Sequence, residues 1–438
     1  MMGVVVKCRW WVAVCVLPLV LLPAPALAVA AVPERVTVSL AGGEPNGMSG
    51  SISFSADGRF VAFESEASDL VPGDTNDTTD VFVRDRLTSA TRLGSVRPDG
   101  TTGIESSYEP AISDDGRYLA FSSPVNDLVP GDTNGKTDVF VRDLQAGSTV
   151  RASVNDLGEE LNDASYLPAI SADGRYVAFA SKASNLPFID KNGVRWEDIF
   201  LRDMVTGAVS LVSRSVTGTG GNYAGLYAQI SGDGRYVAFR SRSTNLVPDG
   251  LPPLHGLFVR DMLTGSMIRT TVSSTGVRVA NTDASMSRNG RYVVFGSIAT
   301  DVVPGDTNGR ADVFAHDLRT GEVELVSFGD ASQQGDGESV DPSISDDGRC
   351  VLFDSYAGNF DPTDLNGTGD VYLRDRTAGT TTRVTRSASG GDADSRSYAS
   401  RISADGRHAA YVSPATNLQS PPDPGGHEDI FAQPTGCA

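Results

Sequence analysis

Histidine and cysteine are scarce in this chain, with four of each among 438 residues. Metal centres built from imidazole and thiolate clusters, and nucleophiles that need a histidine base, therefore have little to draw on. His316 and His408 sit in strand-like segments, and only His255 and His427 fall in loops, neither beside a recognisable partner. No G-x-S-x-G, G-x-x-x-x-G-K-[ST] or H-E-x-x-H segment occurs, so the signatures of nucleophile elbows, phosphate loops and zinc peptidase helices are missing. Basic charge is also short: 36 Lys and Arg face 55 Asp and Glu, a net charge of −19. Such a surface repels nucleic-acid phosphates and anionic lipid headgroups and favours cations or basic partners. Beyond the first residues no apolar run approaches the ~18 residues of a membrane helix, and no membrane insertion is expected. Helical periodicity is nearly absent from residue 34 onward. Carboxylates are so numerous that no acid/base couple stands out.

The first residues contain Lys7 and Arg9, an apolar run from Trp10 to Leu22, and Ala26-Leu27-Ala28. A basic region, a short apolar stretch and small residues at A-x-A spacing read as a secretory signal over residues 1–28, with an exported chain of residues 29–438. That chain keeps 34 basic and 55 acidic residues, a net charge of −21. Cys15 lies inside the apolar run without the small residue expected before a lipid-modified cysteine, so a soluble secreted or cell-envelope product is expected. Two cysteines remain, Cys350 and Cys437, and both a disulfide and two free thiols stay open.

Seven times the same phrase returns, first as Asp57-Gly58-Arg59-Phe60-Val61-Ala62-Phe63 and then from Asp115, Asp173, Asp233, Asn289, Asp347 and Asp405. The intervals are 58, 58, 60, 56, 58 and 58 residues, so the repeat is the unit of explanation. In the second copy a short run ends at Ile112, Asp115-Gly116 supplies a hairpin turn, and alternation resumes from Tyr118. Asp138 to Asp143 alternates again, and Thr149 to Val154 predicts a fourth strand. Four antiparallel strands per repeat make one propeller blade, so the class is all-β and residues 29–438 are expected to form a single seven-bladed propeller. The last copy reaches only its third strand, Glu428 to Phe431. Glu34 to Ser39 resembles the missing fourth strand, so the N-terminal strand is expected to close the ring and remove its open edges.

The phrase P-x-I-S-x-D-G-R-Y-x-A-F, as in Pro110 to Phe121, followed by D-V-F-V-R-D, resembles the TolB-type β-propeller repeat, a relative of the WD-type blade. The resemblance runs over residues 34 to 433. It implies an exported bacterial binding propeller; TolB itself is a periplasmic partner of an envelope complex. The chain departs from TolB in lacking its N-terminal α/β domain and in having seven copies rather than six, and no hydrolase domain of the prolyl-oligopeptidase kind is expected after the seventh.

Within such a blade the a–b and c–d turns fall on one face and the b–c and d–a connections on the other. The first pair are short and the second long and polar, so function is expected on the loop-rich face. Four b–c loops fit D-x-N-x-x-x-D: Asp74, Asn76, Asp80; Asp132, Asn134, Asp138; Asp306, Asn308, Asp312; and Asp364, Asn366, Asp370. Hard cations want six to eight oxygen ligands, which carboxylates around an Asn-Gly turn can begin to supply, and the pattern is similar to the calcium loops of integrin-type propellers. Asp69, Asp127 and Asp301, five residues earlier, are candidates for a further acidic ligand, with Asn359 in the fourth loop. Ca²⁺ is thus the expected ion. The competing reading is that Asp and Asn bond the loop backbone and the final Asp starts strand c. A second candidate lies where blades three and four depart from the pattern. Phe188 and Trp196, Tyr223 and Tyr227, and Leu251, Leu254 and His255 group on one sector, suited either to a protein or carbohydrate contact or to a small cluster that stabilises long loops. Tyr108, Tyr166 and Tyr398 recur near the channel mouth, where repetition favours packing, and the recurrent Arg-Asp of strand c is expected to lock a turn.

The reading reached is a secreted, non-catalytic, monomeric propeller that binds a protein or cell-surface glycan through its b–c/d–a face, with Ca²⁺ stiffening that face. An extracellular hydrolase or lyase acting on a polysaccharide or lactone, and a structural envelope component, are the alternatives.

Overall fold

The structure, a computed structural model, describes residues 32–186, 188, 196–248, 256–270, 284–330, 333–422 and 425–437. The 1–28 segment lies outside these residues.

Blade one shows how the repeat becomes a sheet. Strands a (Ser49–Phe54), b (Phe60–Ser65), c (Asp80–Asp85) and d (Ala90–Leu93) pair antiparallel in that order. Six such sheets follow one another from residue 49 to residue 383, and the seventh joins strands a to c (Tyr398–Ile402, His408–Ser413, Asp429–Pro434) to the N-terminal Glu34–Arg35. Glu34 pairs with Ala432 and Arg35 with Phe431, so the expected closure is present. Strand d is shorter than the alternation suggests. In blade two it spans Ser148–Arg151, because Ala152 and Ser153 both donate their N–H to Val139 O, at 2.7 and 3.3 Å, and this bulge ends the ladder.

The seven-fold phrase has a local explanation. In blade two Ser113 Oγ donates to Asp115 at 2.6 Å, and the Arg117 N–H bonds the same carboxylate at 2.9 Å, forming the a–b turn. Gly116 takes φ +69°, and a Cβ there would lie 2.1 Å from the Phe60 ring of the preceding blade. Glycine is thus required both by the turn and by the inter-blade contact. His408 fills the same aromatic slot against Gly58. The arginine of the phrase lies over the aromatic that follows it, 4.8 Å for Arg117 and Tyr118, and binds the Asp that ends strand c, at 2.6 Å for Arg117 and Asp143. The turn lock is therefore made across the blade, Arg59 with Asp85, while the neighbouring Arg84 bonds Thr91.

Among the described residues, seven hydrophobic clusters each fill one boundary between adjacent blades, including that between blades seven and one. In blade six Cys350 replaces the strand-b aromatic and forms a disulfide with Cys437, tying the last segment of the chain to its neighbour.

Candidate functional site

Strand a lines the axis, and its two ends differ. At the turn-rich end the backbone forms a belt: Ala56 N–H bonds Asp114 O, Asp114 N–H bonds Ala172 O, Ala172 N–H bonds Gly232 O, and Gly232 N–H bonds Arg288 O, at 2.6–3.0 Å. The Arg288 side chain reaches across to Ile170 O at 3.0 Å, Ile112 O at 3.3 Å and Asp114 at 2.9 Å. This end is narrowed by a guanidinium. A cavity of about 370 Å³ lies along the axis, lined by Glu109, Tyr227, Arg288 and Arg401 among others.

Toward the loop-rich end strand a of every blade but the fifth carries, among the described residues, a bulge whose central residue has positive φ although it is not glycine: Ser51, Glu109, Leu167, Tyr227, Asp341 and Ala399, at 49–58°. Carboxylates hold several of these bulges. Glu109 accepts the Leu167 N–H at 2.6 Å and the Ser122 hydroxyl at 2.8 Å, and Asp354 accepts the Ala399 N–H at 2.7 Å. Burial, and then the nearby Asp341, push the Asp354 carboxyl up to about 8.

The b–c loops place each residue of the D-x-N-x-x-x-D pattern. Its Asn forms an Asx turn: Asn134 Oδ1 accepts the Lys136 N–H at 2.6 Å, Asn308 that of Arg310 at 2.9 Å, and Asn366 that of Thr368 at 2.8 Å. The Nδ2 group ties the loop to the d–a connection, donating to Gly103 O from Asn76 and to Leu161 O from Asn134, each at 2.8 Å. The last Asp accepts from a hydroxyl just beyond strand d: Asp80 from Ser95 at 2.6 Å, Asp312 from Ser327 at 2.7 Å, Asp370 from Thr385 at 2.5 Å, and Asp138 from Ser153. Blade three, whose loop fits the motif only in part, and blade seven, which lacks it, keep this staple as Asp198–Ser213 and Asp429–Thr37. The earlier acidic position is also engaged. Asp69 accepts the Asn46 N–H at 3.1 Å, in the manner of Asn185, Asn245, Asn359 and Asn417 with their own connections, and Asp127 pairs with Arg97 at 2.8 Å. The segment that would face Asp301 falls within residues 271–283, outside those described.

The first Asp of the motif is buried at Asp74, Asp132 and Asp306 and half-buried at Asp364, and what meets it differs from blade to blade. In blade two Arg151, the last residue of strand d, lies 3.5 Å from Asp132 and 3.4 Å from Asp138, bonds Glu160, and donates to Gly131 O at 2.8 Å. Arg383 does the same in blade six, 3.4 Å from Asp364, 3.5 Å from Asp370 and 2.7 Å from Asp392. In blades one and five that position holds Leu93 and Leu325. Burial, and then the facing Asp, push both Asp74 and Asp132 up to about 6, with Arg151 pulling the latter back; burial raises Asp312 to about 6. The oxygen donors of blades one and five fit a hard cation, whereas a guanidinium stands in that place in blades two and six. Arg151 and Arg383 escaped the sequence reading. Aligning the last residue of strand d across the repeats was the signal that could have found them.

The blade three and four sector is partly exposed and partly packed. Trp196 is 39% exposed and its ring lies 6.3 Å from Tyr223, which carries Arg242 at 5.8 Å on its other contacts; Tyr227 is 42% exposed with Arg240 over its ring at 4.8 Å. Tyr166 donates to Glu197, which Lys182 also meets at 3.1 Å. Phe188 instead packs on Phe200, at 6.1 Å, within the boundary between blades two and three. Leu251, Leu254 and His255 lie outside the described residues. Tyr398 packs at the boundary of blades seven and one.

No family model matches the chain, and no curated protein matches its sequence. Among solved structures it is similar to an oligogalacturonate lyase in complex with manganese, at TM-score 0.53 and 12% identity, covering 92% of this chain and 96% of that one. It is similar also to the β-propeller domain of the trilobed protease from Pyrococcus furiosus, at TM-score 0.52 and 13% identity, covering 88% and 95%. TolB from Acinetobacter baumannii is a further neighbour, at TM-score 0.41 and 16% identity; 80% of this chain is covered and 66% of that one, a likeness too low to argue from. At such identities a neighbour shows the fold and nothing of the ligand. The chain has the seven-bladed, all-β propeller fold.

Proposed function

We propose that this chain is a secreted, non-catalytic propeller that binds a protein or cell-surface glycan on its loop-rich face, in the sector of blades three and four. The observation that carries this reading is the exposed Trp196 and Arg242 with the half-buried Tyr223 in contact with both, and the exposed Tyr227 under Arg240. Aromatic faces and guanidinium groups held on a rigid scaffold offer stacking area and fixed hydrogen-bond donors at little entropic cost, and such residues dominate binding energetics elsewhere. Tyr227 also lines the axial cavity, so a ligand seated on the sector can extend toward the channel mouth. Secretion rests on the signal-like residues 1–28, and Ca²⁺ is the ion suited to the loop carboxylates.

A glycan microarray probed with residues 29–438 tests the reading, with Trp196→Ala and Tyr227→Ala as variants. We expect each variant to weaken binding of any recognised glycan about tenfold or more, equivalent to ~1.4 kcal/mol. Binding that survives both changes together would remove the sector from the account. Turnover of a polysaccharide or lactone that disappears in Glu109→Gln would replace the binding reading with an enzymatic one.

A further inference from the structure

The two pairs of repeats that share the D-x-N-x-x-x-D loop solve one electrostatic problem differently. In blade two three acceptors, the carboxylates of Asp132 and Asp138 and the carbonyl of Gly131, converge on Arg151. The corresponding acceptors in blade one are Asp74, Asp80 and Gly73, and strand d ends in Leu93. In blade five they are Asp306, Asp312 and Gly305, with Leu325 in place of the arginine and Gln334 donating to Gly305 O at 3.0 Å. Asp74 and Asp306 are 8% and 6% exposed and Asp312 is fully buried. Among the described residues one oxygen of Asp74, both of Asp306 and one of Asp312 make no hydrogen bond; the same holds for both oxygens of Asp132 and one of Asp364, but those have a guanidinium within 3.5 Å. The groups among the described residues that bear on Asp74, Asp80, Asp306 and Asp312 include no cationic side chain, in contrast to Asp132, Asp138 and Asp370. Two buried carboxylates facing one another without a counter-charge are costly, and the same fold meets that cost with a cation wherever strand d can supply one.

We infer that blades one and five each bind a hard divalent cation, Ca²⁺ in the first instance, between Asp74 and Asp80 and between Asp306 and Asp312, where blades two and six hold a guanidinium. The donors are all oxygen, carboxylate and carbonyl, which is the ligand set such ions prefer. The ion would join the b–c loop to the start of strand c on the loop-rich face. This inference stands on its own residues and does not depend on the ligand read for blades three and four.

The test is calorimetric titration of the chelator-treated full chain with CaCl₂, together with thermal melts with and without the ion. Two ions per chain and a raised melting temperature are expected. Asp74→Asn and Asp306→Asn are each expected to remove one ion. Leu93→Arg and Leu325→Arg install the blade-two solution: each is expected to remove one ion while keeping, in chelator, a melting temperature at least as high as that of the unsubstituted chain. Absence of both heat and melting shift would overturn the inference, as would a stoichiometry unchanged in Leu93→Arg and Leu325→Arg. Should a carboxylate variant fail to fold, the arginine variants still decide the matter.

Discussion

Asp354 shows how a single residue acquires a property its neighbours in sequence do not suggest. It occupies an ordinary place in strand b, yet the bulge of the next blade covers it, with Ala399 N–H on one oxygen and Asp341, Ser400 and Arg401 nearby. Burial favours the protonated acid, so its folded pKa of about 8 stands above the unfolded value of ~3.9. A group of this kind contributes stability that is full below the unfolded pKa and is lost as pH rises through the folded one. Denaturant melts at pH 5 and pH 8 should therefore show the original chain losing stability relative to Asp354→Asn, which retains an acceptor for Ala399. Parallel pH profiles would mean that the carboxyl is already ionised in the fold at pH 5. Nothing in the phrase around Asp354 makes this legible, because Ala399, Ser400 and Arg401 come from the following blade and Asp341 from the neighbouring strand a.

The strand-c staple is a property of elements. An Asp at the start of strand c and a Ser or Thr just past strand d recur in six of the seven blades, Asp198 and Ser213 at 2.5 Å among them. In blade four Gly256 takes the place of the Asp, and Thr270 donates to Leu257 O instead. The hydroxyl also accepts the backbone N–H of the next strand-c residue, Ile199 at 3.0 Å, so it satisfies two buried groups at the bulge that ends the ladder. Ser213→Ala should cost about 1–3 kcal/mol, because it removes one hydroxyl that serves two buried groups, the Asp198 carboxylate and the Ile199 N–H. Urea denaturation measures this, and a loss well under ~0.5 kcal/mol would show that water replaces the hydroxyl at no penalty. By the D-x-N-x-x-x-D pattern alone the same Asp is a candidate metal ligand in four blades. Its structural role became visible only when strand d, 15 residues later, was seen to deliver the hydroxyl.

At the scale of the whole molecule the turn-rich face carries six cross-blade locks, from Arg59–Asp85 to Arg349–Asp375, one in each blade but the seventh. The guanidinium bonds to Asp143 and Asp317 hold these carboxyls down at about 2, and Asp85, Asp203 and Asp261 are held lower still. The sign is opposite to that of Asp354: stability is present above the unfolded carboxylate pKa of ~3.9 and is lost as pH falls through the folded values. The arginine side chains are 33–40% exposed, so one lock contributes little and the effect lies in the repetition. Acid titration followed by tryptophan fluorescence should show the chain folded at pH 5 and unfolding cooperatively between about pH 4 and pH 2, with Arg117→Gln moving the midpoint upward. A midpoint unmoved in that variant would assign acid unfolding to other carboxylates.

The 58-residue periodicity, the Asp-Gly turn and the alternation of strands b and c are short-range patterns. They sufficed for the blade, the number of blades and the closure by Glu34–Arg35, because each is set by steric and hydrophobic preferences within a few residues. The placement of long loops on one face followed from strand order alone. What the tertiary structure decided was which charges meet. Arg151 reaches Asp132 across a blade, Arg288 crosses the axis to residues more than a hundred positions away, and Leu93 and Leu325 leave their carboxylates without such a partner. Burial and counter-charge depend on what the neighbouring strand or blade brings within a few ångströms, and that distance is written only in the folded ring.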